Sequence, residues 1–157
     1  MRRVILVFLL LVASTLTACS YMTAFVVVNE SNHAIEVSYK HKHFPGEMPF
    51  KLYERPARID ADQLSSKGGN EWQELTPSDY QLDRENRTVL VRVMPGEALR
   101  IYSFHDYGGH DDAQEAEHYP FEEISVLGAS GGVKYMGQKS RTAFSEVSRV
   151  LYTLTYN

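Results

Sequence analysis

The feature that most constrains this chain is its start. Arg2 and Arg3 are followed by Val4 to Ala18, fifteen residues without a charge and mostly apolar, and then by Cys19, the only cysteine in the sequence. Fifteen residues fall short of the roughly 20 that a helix needs to cross the ~30 Å hydrocarbon layer. A basic start followed by a short apolar stretch reads as a removable export signal, residues 1–18, rather than a permanent span. A single cysteine leaves no intramolecular disulfide partner, so the exported domain must be held by its core alone. Residues 19–157 are one domain's worth of chain, enough to bury a real core.

The processing site refines this. Cleavage after Ala18 would place Leu16 at a position where ordinary secretory cleavage prefers a small residue. Leu16-Thr17-Ala18-Cys19 instead resembles the lipobox of bacterial lipoproteins: aliphatic, small, small, cysteine. The resemblance implies lipid on Cys19, which becomes the mature N-terminus, and several acyl chains make such an anchor effectively permanent. It also implies that Ser20, where an aspartate would favour inner-membrane retention, directs the protein to the outer membrane, facing the periplasm.

The signal takes two of the sixteen Lys/Arg and none of the twenty Asp/Glu, leaving a net charge of −6. A nucleic-acid partner does not fit that balance. Periodicity then favours strands. Ile35, Val37 and Tyr39 alternate with Glu36, Ser38 and Lys40, the period of a half-buried strand. Phe25-Val26-Val27-Val28 precedes them across the turn-rich Asn29-Glu30-Ser31-Asn32, so these runs are expected to form a hairpin. A second pair, Val89 to Val93 and Leu99 to Ile101, flanks Met94-Pro95-Gly96-Glu97, which suits a type II turn. A third flanks Gly128 to Gly132, and Val150, Tyr152, Leu154 and Tyr156 line a last strand. Trp72 is expected to pack inward from a strand over residues 71–75. Ser78 to Leu82 and Asp111 to His118 are the best helical candidates, both short. The expected fold is an all-β antiparallel sandwich, immunoglobulin-like, with a small closed barrel as the alternative. Residues 65–70 and 105–120 read as loops, and loops as long as the second tend to carry function or lack order.

Four signals could carry chemistry. Gly128-Ala129-Ser130-Gly131-Gly132 matches the G-x-S-x-G nucleophile pattern, but that elbow needs a helix after it and a histidine later in the chain. Here a strand follows and all six histidines precede Ser130, so a glycine-rich hairpin turn is expected. Ser130-Gly131-Gly132-Val133-Lys134-Tyr135 resembles the Ser-Gly-x-x-Tyr segment of periplasmic C-type lysozyme inhibitors, with one additional residue before the tyrosine and no cysteine pair. That resemblance implies Ser130 and Tyr135 as contact residues. His41 and His43 share a strand face and suit zinc or copper, with His105, His110 or Asp111 as further ligands. Between Arg100 and Lys134 there is no Lys or Arg, while Asp106, Asp111, Asp112, Glu115, Glu117, Glu122 and Glu123 fall there. That acidic run suits a basic partner or a cation, and would raise the pKa of His105, His110 and His118.

The leading expectation is a non-enzymatic envelope lipoprotein that uses its sandwich to bind another envelope protein or a cell-wall component. The alternatives are a periplasmic metal- or cation-binding protein and a lysozyme inhibitor.

Overall fold

The computed structural model describes residues 21–42, 55–106 and 119–157. Eleven strands occupy them: β1 (Tyr21–Asn29), β2 (Ile35–His41), β3 (Ala57–Asp60), β4 (Gln73–Glu74), β5 (Tyr80–Asp83), β6 (Thr88–Val93), β7 (Glu97–Asp106), β8 (Phe121–Gly128), β9 (Gly131–Met136), β10 (Ser145–Ser148) and β11 (Leu151–Tyr156). A 3-10 turn follows β3 at Ala61–Gln63, and a single-turn helix α1 (Gln138–Thr142) links β9 to β10. The first sheet runs β10-β11-β1-β7-β3-β4 and the second β5-β6-β2-β8-β9. The two sheets pack face to face as the expected all-β sandwich and do not close into a barrel. Neighbouring strands are antiparallel except β1 and β11, which run parallel.

The core follows from the alternation in sequence. Ile35, Val37 and Tyr39 of β2, Val89, Val91 and Val93 of β6, and Ile124 and Val126 of β8 form the inner face of the second sheet. Phe25, Val27, Leu99, Ile101 and Leu154 meet them from the first. The unbroken apolar run in β1 has its own cause. Ala24, Val26 and Val28 point to the outer face, where Ile59, Ala98 and Leu151 join them under Ala61, Leu64 and Trp72. A strand covered on both faces needs no polar alternation. Trp72 is half-buried and stacks over the Arg100 guanidinium at 5.3 Å. Only Gln73 and Glu74 of the 71–75 stretch pair as a strand.

Three sequence expectations are corrected. β1 and β2 are not a hairpin: β1 lies in the first sheet, between β11 and β7, and β2 in the second, between β6 and β8. β6 and β7 likewise belong to different sheets despite the tight turn at Gly96, whose φ is +75°. Ser78 to Leu82 is not helical. Asp79 closes a turn on Thr76, accepting from its amide at 2.7 Å and its hydroxyl at 2.6 Å, and Tyr80 and Leu82 then pair with Val91 and Val89. The third expected hairpin is present, with Gly128 opposite Gly131 across Ala129-Ser130.

The β1–β2 and β6–β7 crossings meet at one end. Asn29, fully buried, donates from Nδ2 to the carbonyls of His33 (2.9 Å) and Val93 (3.1 Å). Its Oδ1 accepts from the Ser31 amide (3.1 Å) and hydroxyl (2.7 Å), and its backbone carbonyl accepts from Gly96 N (2.9 Å). The opposite end collects the start of β1, the ends of β2 and β7, and the starts of β6, β8 and β11, because each neighbour's direction is fixed by the pairing.

Candidate functional site

The end where β1 begins holds a compact group of titratable and aromatic side chains. His41 closes β2 and lies against Tyr39 (ring centroids 5.7 Å) and Phe121 (5.1 Å). Its amide donates to the carbonyl of Arg87 at 3.0 Å. Burial, reinforced by the Arg87 charge, pushes its imidazole down from 6.5 to about 4. The ring is therefore neutral at ordinary pH.

A break in the alternation positions the surrounding ions. In Phe121-Glu122-Glu123-Ile124 two polar residues stand where one would keep the period. The register with β2 slips there, Lys40 facing Glu123 and His41 facing Phe121, which leaves Glu122 as the extra residue of a bulge. Glu122 bridges Lys40 (3.3 Å) and Arg87 (3.5 Å). Arg87 has a left-handed backbone, φ +57°, uncommon for a side chain with Cβ. Lys42 lies over the Tyr119 ring at 5.7 Å, and burial pushes the Tyr119 phenol up. Glu122 was read from sequence only as part of the acidic run, and Arg87 and Tyr119 were not singled out. The Glu122-Glu123 doublet is the signal that marks them, because it interrupts an otherwise regular period.

The other sequence candidates are distributed unevenly. His105 and Asp106 end β7, where their backbones pair with Met22 and Tyr21. Cys19, His43, His110, Asp111, Asp112, Glu115 and Glu117 lie outside the described residues, as does the 111–118 helical candidate. Among the described residues no three His, Cys, Asp or Glu side chains gather at metal-binding separations. No helix among them is long and apolar enough to cross a membrane.

Ser130 sits at the far end of the sandwich, on the β8–β9 turn. The Tyr156 hydroxyl donates to the Gly131 carbonyl at 2.9 Å, which commits its one proton, so Ser130 Oγ donates to Tyr156 at 2.9 Å. Among the described residues Ser130 Oγ contacts this phenol and not a histidine, so none there pairs with it as a general base. Gly128 lies under the same ring, and a Cβ there would run into the Tyr156 phenol. Tyr135 pairs with Ile124 and is partly buried against the core, unlike Ser130, which is exposed on the turn.

No family model matches the chain, and neither the curated proteins nor the solved structures contain a match to it.

Proposed function

We propose that this protein is a lipid-anchored component of the bacterial envelope that acts by binding another envelope component, without turnover. One observation carries the reading: Arg2-Arg3, an uncharged apolar stretch and Leu16-Thr17-Ala18-Cys19 follow one another in the order of a lipoprotein signal, and every described strand lies after that cysteine. The Ser20 position directs the anchor to the outer membrane, with the sandwich in the periplasm.

Intact-mass analysis of protein purified from bacterial membranes tests the anchor. The expected species starts at Cys19 and carries acyl chains; an unmodified Cys19 on an uncleaved chain overturns the reading. Crosslinking in intact cells tests the binding role, with a discrete envelope protein or cell-wall fragment as the expected product. The zinc or copper alternative is read by elemental analysis of the purified protein, and lysozyme inhibition by a lytic assay.

A further inference from the structure

The anchor-side rim of the first sheet places three exposed side chains next to the start of β1. Thr23 donates its hydroxyl to the carbonyl of Arg149 at 3.1 Å, which sets Arg149 beside Met22. Ser148 donates to the carbonyl of Ser66 at 2.6 Å, which draws Lys67 to the same place. Arg149 and Lys67 are exposed, and neither forms an ion pair with another described residue. Met22 follows β1's first residue and is 50 % exposed, on the face of the sheet that carries Ala24. Two peptide units separate Cys19 from Tyr21, so a lipid on Cys19 holds the start of β1 within about 8 Å of the chain's entry into the membrane, with the rim beside it.

We infer that the rim formed by Met22, Lys67 and Arg149 lies on the phosphate-bearing surface of an anionic membrane, so that the sandwich is tilted onto the outer face of its first sheet. This rests on the anchoring proposed above. Charge supplies the direction of tilt. A basic side chain within a Debye length of an anionic leaflet is drawn to it. Lys67 and Arg149, which form no ion pair with another described residue, both lie on the β11 side of β1. That side brings two cations, with the apolar thioether of Met22 beside them, to the lipid.

Three methionines report the orientation. Met22 is on the rim, Met136 (58 % exposed) is at the same end on the second sheet, and Met94 (45 % exposed) is at the far end. The full lipidated chain, its Cys19 modification verified by mass, is placed in vesicles of phosphatidylethanolamine with phosphatidylglycerol, or of phosphatidylcholine alone, and exposed to hydroxyl radicals. The expected result is severalfold slower oxidation of Met22 on the anionic vesicles only, with Met94 and Met136 unchanged. Lys67→Glu with Arg149→Glu should restore Met22 oxidation while the chain stays vesicle-bound. Equal Met22 rates on both vesicles, or equal protection of Met22 and Met136, overturns the tilt while leaving the anchor intact. A chain without lipid on Cys19 overturns the anchor and this inference with it.

Discussion

The amide of Asn29, itself fully buried, donates twice and accepts twice. Asn29→Ala leaves the Val93 carbonyl, on the buried side, without it, while the His33 carbonyl keeps the Ser31 hydroxyl. A buried group orphaned in this way costs about 1–3 kcal/mol, so we expect a loss of that order in urea denaturation. Asn29→Asp is the sharper variant, because a carboxylate would face two carbonyl oxygens. It should be the less stable of the two at neutral pH and recover part of the loss in acid, where the carboxyl can donate. His41 works in the opposite sense with pH. The folded protein keeps its imidazole neutral down to about pH 4, whereas the unfolded chain takes up a proton near 6.5. Between those values the unfolded state binds more protons, so stability is full above 6.5 and falls as the pH drops towards 4, by up to about 3 kcal/mol. His41→Phe should remove that part of the acid sensitivity. Denaturation midpoints of variant and parent that fall in parallel from pH 7 to 4.5 would show that burial of His41 is not the source.

Among the elements, the strand positions were legible where alternation was regular, as in Ile35-Val37-Tyr39 and Val89-Val91-Val93. Their partners were not. The turn chemistry of Pro95-Gly96 dictates a reversal of direction, and φ at Gly96 confirms it. A reversal is equally compatible with pairing to the preceding strand or stepping to the facing sheet. What decides is the non-local pairing of β7 with β1, supported by the Asn29 clasp, and neither is visible in a local window. Thr76 and Asp79 resemble a helix start because the same side-chain bonds close a turn before a strand. The two-residue β4 and the single-turn α1 are too short to show any period. The β8–β9 hairpin was legible because its glycines mark it, though its clamp was not, since Tyr156 arrives from the last strand. Tyr156→Phe removes the bonds to Ser130 and Gly131 and should cost about 1–2 kcal/mol. Gly128→Ala forces the ring aside and should cost at least as much, and the double variant should be less than additive because both changes act on one contact. Strict additivity in thermal melts would separate the two effects.

For the molecule as a whole, the sandwich was legible in the frequency of short strands and turns, whereas the proposed anchor rests on four residues, Leu16 to Cys19, that precede the described ones. The candidate site was not legible, because His43, His110, Asp111, Asp112, Glu115 and Glu117 lie outside the described residues, and only His41 of those proposed as ligands has a described side chain. Cys19→Ser tests the anchor on a second axis. Labelled palmitate should enter the parent chain and not the variant, and incorporation into both would place the lipid elsewhere.

The parallel pairing of β1 with β11 has a consequence for how the protein is made. Thr23 and the Arg149 carbonyl are hydrogen-bonded across 126 residues of sequence. Of the described strands, the one made first can complete its sheet only when the one made last arrives beside it. Until then β1 offers an open apolar edge of the kind that sticks to other chains. Contacts of such sequence separation form slowly. An order of synthesis that withholds β11 keeps the sheet around β1 incomplete until that strand is made. A chain ending at Val150 should therefore fail as a whole, giving no cooperative unfolding transition, rather than lose one edge of its sandwich.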